Sequence, residues 1–137
     1  MSHWTRGINT ECVFCREGME SRNHIFFTCP FSTTVWTGLM KGMLSSRFSS
    51  CWDDILDLIK GNFLHGLRKF IVRYVFQASI HSIWQERNRR RHGEIPSQPA
   101  QLITMLDRTT RNRLSTLSSL DSRWEDGLKL WFATRHD

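Results

Sequence analysis

Three cysteines and one histidine lie close together near the amino end of the chain, at Cys12, Cys15, His24 and Cys29. Thiolates and imidazole are ligands that zinc favours. Three thiolates and one imidazole together supply the four ligands of a structural zinc site. Two residues separate the first two cysteines, which predicts a tight turn that brings both sulfurs to one ion. Four residues separate His24 and Cys29, a spacing that suits one helical turn or a short loop. The pattern therefore predicts a Zn²⁺ site on these four residues.

Two other interpretations of the cysteines are less favoured. A Cys-x-x-Cys pair is also typical of redox motifs, but no strand–helix pattern of a thioredoxin unit surrounds Cys12 and Cys15. A disulfide framework needs an oxidising compartment, and we expect no secretory signal peptide here. We therefore predict a protein of the nucleus or cytoplasm, not a secreted one, where such clusters more often bind metal. Cys51 lies far from the cluster and is predicted to be a small buried hydrophobic residue.

The residues around the cluster resemble a known family. The segment ESRNHIFFTCPFSTTVW, residues 20–36, is similar to the zinc-binding domain that follows the reverse transcriptase of plant non-LTR (LINE-type) retrotransposons. That family has two cysteines, Glu-Ser, a His before an aliphatic residue and two Phe, then Cys, Phe-Ser and Val-Trp. A second segment, IWQERNRRRH at residues 83–92, resembles the Trp-x-Glu-Arg-Asn stretch found downstream in these elements. The resemblance implies a zinc-binding module of a retroelement protein, which we expect to be truncated before Cys12.

The rest of the chain has the periodicity of helices. Its 137 residues are enough for one domain, or for one domain with a small metal module. Residues 1–11 contain helix breakers and are predicted to be frayed. Apolar residues then recur at intervals of three and four, which predicts helices over residues 31–43, 51–60, 64–91 and 100–120 and a short last helix that ends near Phe132. No apolar run reaches the ~18 residues of a membrane span, so we expect no membrane partner.

The predicted fold is mainly α. A small zinc module with three Cys and one His occupies residues 1–36, and a bundle of four or five helices occupies residues 37–137. Ile25, Phe26 and Phe27 are predicted to pack against the following helix, because a loop would not keep such an apolar run in water. If exposed, the Phe rings could instead stack on unpaired bases. His81 lies on the apolar stripe of the longest helix and is predicted to be a core residue.

The charge distribution points to nucleic acid as the partner. The formal net charge is +6, and basic proteins often bind acidic partners. Four arginines crowd the end of the longest predicted helix, at Arg87, Arg89, Arg90 and Arg91. Cations are favoured at the carboxyl end of a helix by its dipole, so a solvated helix end is one interpretation. Guanidinium groups also pair well with phosphate, so a nucleic-acid-binding patch is the other.

No catalytic constellation is apparent. Trp52-Asp53-Asp54 has the two adjacent aspartates of a reverse transcriptase metal box, but the flanking residues predict a helix, whose first turn favours acidic side chains. We therefore predict a non-catalytic zinc-binding domain that binds RNA or DNA. The alternatives are a helical module that docks on the reverse transcriptase body, a segment that carries an inherited enzyme label without its active site, and an inactive retroelement relic.

Overall fold

The computed structural model describes residues 11–17, 19–62 and 64–135. Residues 1–10, predicted to be frayed, lie outside the described residues. The described helices are a π-helix at His24–Thr28, α1 at Pro30–Leu44, a 3-10 turn at Ser45–Arg47, α2 at Trp52–Lys60, α3 at Gly66–Arg91, α4 at Pro99–Leu120 and α5 at Trp124–Ala133. Extended pairing within this part of the chain is limited to an isolated bridge between Glu11 and Met19. The predicted mainly α fold is confirmed.

The helices begin and end close to the predicted positions because the local signals are strong. Pro30 and Pro99 lie at the first positions of α1 and α4, where the missing N–H of proline costs nothing. Asp53 and Asp54 lie in the first turn of α2, where their charge complements the helix dipole. These signals act over three or four residues, so they can be recognised without knowledge of the tertiary structure.

The core joins the cysteine-rich segment to the helical body. Ile25 and Phe27 are fully buried and Phe26 is 9% exposed, which confirms that this apolar run packs inside. The Phe27 ring meets Trp36 of α1 edge-on at 5.3 Å between centroids, and it stacks on Phe76 of α3 at 5.6 Å. The predicted boundary between residues 36 and 37 falls inside α1, which contributes buried residues on both sides of it. The metal-binding segment and the bundle therefore share one apolar core.

The structure corrects two predictions about burial. His81 is exposed, because its face of α3 is turned towards solvent rather than towards the core. Cys51 is only half-buried, at the residue before α2. In both cases the sequence pattern placed the residue beside apolar neighbours, whereas tertiary packing decides how much of its side chain is buried.

A buried tryptophan of α5 forms a hydrogen bond to α4, and a substitution can test its contribution to stability. Trp131 is fully buried, and its indole N–H donates to Asp107 Oδ1 of α4 at 2.7 Å. We expect Asp107→Ala to lower the free energy of unfolding by about 1–3 kcal/mol, because a buried donor loses its acceptor. Urea unfolding followed by circular dichroism measures the change. Asp107→Asn keeps an oxygen acceptor and should recover most of the loss; equal stability of Asp107→Ala and the parent would contradict this role.

None of the helices among the described residues is both long enough and apolar enough to cross a membrane.

Candidate metal centre

The first two candidate ligands lie in a tight turn, as their spacing predicts. The Arg16 N–H donates to the Cys12 carbonyl at 2.9 Å, which closes the chain over Cys12 and Cys15. Arg16 adopts the left-handed conformation with φ of 57°, which residues with a side chain rarely adopt. The turn brings the two cysteines to the same side of the segment.

The second pair is held by a wide helical turn. His24–Thr28 forms a π-helix, and the Cys29 N–H donates to the His24 carbonyl at 2.7 Å. The π pattern joins residues five apart, whereas an α-helix joins residues four apart. The extra residue lets His24 and Cys29, which are five positions apart, face the same point. The sequence was compatible with a helical turn or a loop, and the structure has the helical turn in its wider form.

The four donors converge within a small volume. The ligand atoms of Cys12, Cys15, His24 and Cys29 all lie within 4.8 Å of one another. Cys12 Sγ and Cys29 Sγ are 3.7 Å apart, and Cys15 Sγ and His24 Nε2 are 3.3 Å apart. Zinc–sulfur bonds of about 2.3 Å and zinc–nitrogen bonds of about 2.0–2.1 Å give tetrahedral edges of roughly 3.5–3.8 Å. These two separations are close to those edges, and the 4.8 Å span of the whole set is small enough for all four donors to share one ion.

The electrostatics of the cluster also favour a bound cation. Cys12 and Cys29 are fully buried. Burial, opposed by the Phe31 N–H and reinforced by the neighbouring Cys12 and Cys15, raises the pKa of Cys29 to about 12. A thiolate is therefore unfavourable here unless a positive charge lies beside it. A metal ion supplies that charge and reverses the local preference, because coordinated thiols bind as thiolates.

Hydrogen bonds fix the metal segment to α1 and α2. The Ser32 hydroxyl donates to the Ile25 carbonyl, and Thr33 Oγ1 donates to the Phe27 carbonyl at 2.6 Å. Asn23 Oδ1 accepts the Trp52 N–H at 2.9 Å and so satisfies a free donor at the start of α2. Sequence analysis did not find this contact, because Asn23 and Trp52 are 29 positions apart.

A buried ion pair connects the metal segment to the end of α3. Glu20, between the two ligand pairs, has a side chain that is 1% exposed. It accepts from Arg87 Nε at 2.8 Å and Nη2 at 2.7 Å, and Arg87 is itself only 7% exposed. Arg91 Nη2 approaches the same carboxylate at 3.4 Å. Two of the four predicted nucleic-acid-binding arginines therefore contact a glutamate of the metal segment.

The other two arginines pair with a second buried carboxylate, Glu86, which is 3% exposed. Arg90 Nε donates to Glu86 Oε2 at 2.9 Å, and its guanidinium lies about 5 Å above the rings of Phe14 and Phe31. Phe14 and Phe31 stack on each other with 4.4 Å between centroids. Arg89 is more exposed, at 45%, and lies 3.8 Å from Glu86. We call Glu20, Glu86 and these four arginines the ion-pair network.

Comparison with known proteins agrees with the metal-centre geometry. No curated protein and no solved structure matches the chain. Residues 1–36 match a family model described as zinc-binding in reverse transcriptase, and this range contains all four candidate ligands. The amino-terminal part of the chain is thus similar to the zinc-binding domain of reverse transcriptases, and its Cys and His side chains form the cluster expected of such a domain.

Proposed function

We propose that the chain is a zinc-stabilised, non-catalytic domain that binds nucleic acid. The convergence of three thiols and one imidazole within 4.8 Å carries the zinc part of the proposal. Sulfur-rich tetrahedral sites with nitrogen select zinc over calcium or magnesium. A zinc ion that takes all four ligands has no position left for water, so its role is structural. The proposed origin is a LINE-type retroelement protein of plant type, acting in the nucleus or cytoplasm.

The distribution of charge supports nucleic acid as the partner. The chain carries 19 Lys and Arg against 13 Asp and Glu. The excess is uneven, because residues 58–85 contain four cations and no acidic residue. Most of α3 lies in this stretch, so its cations are not neutralised by acidic neighbours along the chain. Such an uncompensated basic region attracts the phosphate backbone independently of base sequence.

A rival function is a module that docks on another protein, such as the reverse transcriptase body. The ion-pair network favours this rival, since Arg87 and Arg90 are occupied by glutamates and largely removed from solvent. Leu120, which is 80% exposed at the end of α4, also favours it. The two functions differ in one measurable property, because only the first requires affinity for nucleic acid.

A salt titration distinguishes nucleic-acid binding from docking on another protein. We expect the zinc-loaded chain to bind labelled single strands with a log K that falls linearly with log salt concentration. In the arginine run only Arg89 and Arg91 retain substantial exposure, at 45% and 28%. Arg89→Gln/Arg91→Gln should reduce the slope by up to about 1.4, at about 0.7 per phosphate contact on single strands. Fluorescence anisotropy at several salt concentrations measures both quantities.

The matched control is Arg113→Gln/Lys129→Gln, which removes two exposed cations from α4 and α5. Absence of binding at all salt concentrations, with zinc and helicity intact, would refute the proposed function and leave the docking module. Binding with an unchanged slope in Arg89→Gln/Arg91→Gln would remove the arginine run from the binding surface.

A further inference from the structure

A continuous groove follows one face of α3. Its first hollow, of about 390 Å³, is lined by residues that include Lys69, Phe70, Arg73, Tyr74 and Gln77. A second hollow, of about 430 Å³, shares Tyr74 and Gln77 with the first and passes between α3 and α4. A third, of about 460 Å³, shares Ser82, Gln85 and Met105 with the second and ends near His92. We call these three hollows the α3 groove.

The lining residues show that the groove is one surface. On α3 they recur at intervals of three and four, from Gly66 through Tyr74 and Ser82 to His92, and residues at those intervals share one helical face. At 1.5 Å per residue, this face is about 40 Å long. Met105 and Thr109 of α4 form the opposite wall of the middle hollow. The result is a long concave path rather than an isolated pocket.

The groove has an uneven distribution of charge. Among the described residues, its first two hollows are lined by the cations Lys69 and Arg73 and by no carboxylate. Arg73 is exposed and forms no ion pair within that part of the chain, in contrast to the arginines of the ion-pair network. Carboxylates line only the third hollow, where Glu86 and Glu94 already pair with arginines. An anionic ligand is therefore favoured at the amino half of α3.

The same part of the groove carries aromatic rings. Phe70 and Tyr74 lie one helical turn apart, with ring centroids 6.2 Å apart and planes inclined by 14°. Both are half-buried, so part of each side chain remains accessible from the groove. Rings beside cations are the combination that single-strand binding proteins use, because bases stack on the rings while phosphates pair with Lys and Arg. Gln77 and Gln85 add amide groups that can hydrogen-bond to base edges.

We propose that the α3 groove binds a single-stranded nucleic acid, with phosphates on Lys69 and Arg73 and a base against Tyr74. This inference rests on the proposed function and assigns it a site in the first two hollows, whereas Arg89 of the arginine run lines only the third. The concave shape favours a flexible single strand over a duplex, whose convex surface meets protruding elements instead. The hypothesis gives α3 two roles, since its amino half holds the ligand and its carboxyl half holds the metal segment.

The test uses the zinc-loaded full chain and labelled oligo(U) and oligo(dT) of about 12 nucleotides, within the range that single-strand modules contact. Lys69→Gln/Arg73→Gln should lower affinity and reduce the salt slope by about 1.4, since two phosphate contacts are lost. Tyr74→Leu keeps an apolar side chain but removes the aromatic face, and it should weaken binding about fivefold to 150-fold. The matched control for charge is Arg113→Gln/Lys129→Gln. This variant should keep the part of the affinity that the Tyr74 ring provides.

The outcomes distinguish the site from the function. Zinc content and circular dichroism must match the parent in each variant, and Lys69→Gln/Arg73→Gln still tests the groove if Tyr74→Leu fails to fold. Strong binding by the parent that all three groove substitutions leave unchanged would refute the groove and retain the proposed function. An equal loss of affinity in the control variant Arg113→Gln/Lys129→Gln would also refute the groove as the binding site. Tighter binding of a duplex than of a single strand would refute it as well. Absence of binding by the parent would refute both. A larger loss of affinity in the groove variants than in the control variant supports the site. The ratio of oligo(U) to oligo(dT) affinity then identifies the favoured strand.

Discussion

Cys29→Ser is expected to abolish stoichiometric zinc binding and to lower the helicity of the whole chain. Zinc binding to small structural sites contributes roughly 10–16 kcal/mol of apparent free energy. That range is comparable to the ~5–15 kcal/mol that stabilises an entire domain. Cys29 is fully buried, and the neighbouring Ile25 and Phe27 belong to the core that α1 and α3 share. Loss of the ion should therefore expose apolar side chains of the bundle as well as those of the metal segment.

Native mass spectrometry with and without chelator measures the stoichiometry, and far-ultraviolet circular dichroism measures the helicity. We expect one zinc per chain in the parent. The matched control is Cys51→Ser, since Cys51 is a half-buried thiol outside the cluster and should be dispensable for metal. Full zinc occupancy and parental helicity in Cys29→Ser would show that the ligand assignment is wrong. Equal loss of zinc in Cys51→Ser would show the same.

The helices could be predicted from the sequence because their signals are local. Pro30, the acidic first turn of α2 and the apolar spacing of α3 each act within a few residues. The candidate ligands could be predicted for a related reason, since donor type and spacing along the chain define the set before folding. The wide turn at His24–Thr28 could not, because its sequence is equally compatible with an ordinary helical turn or a loop.

The environment of the arginine run could not be predicted either. Glu20 meets Arg87 across 67 positions, and no local pattern links a glutamate between metal ligands to an arginine at the end of a distant helix. The groove on α3 is hidden for the same reason. Its lining residues lie on two different helices, and only the placement of α4 beside α3 shows that they form a concave surface. His81 illustrates the difference, because it lines that groove instead of the core.

Arg87→Met is expected to lower the free energy of unfolding by about 3 kcal/mol, the lower end of the ~3–5 kcal/mol for removing one partner of a buried pair. Methionine retains contact with the Trp84 ring, over which the Arg87 guanidinium lies at 4.5 Å. The main loss is thus electrostatic, because the Glu20 carboxylate remains 1% exposed without its principal partner. Arg91, at 3.4 Å, compensates in part and keeps the effect near the lower end. Urea unfolding of the zinc-loaded chain measures the change.

A double-mutant cycle identifies the cause of that loss. Glu20→Leu/Arg87→Met removes both charges, and apolar replacement of a buried ion pair is often neutral or stabilising, so most of the stability should return. The control is Arg123→Met, which breaks an ion pair of the same 2.7 Å length whose arginine is 82% exposed. We expect no measurable change there, because exposed pairs contribute little.

If the double variant were no more stable than Arg87→Met, the loss of stability would come from packing. If Arg87→Met were as stable as the parent, the end of α3 would not hold the metal segment in place. Recovery of stability in the double variant would establish that the buried charge of Glu20 in the metal segment holds Arg87 at the end of α3.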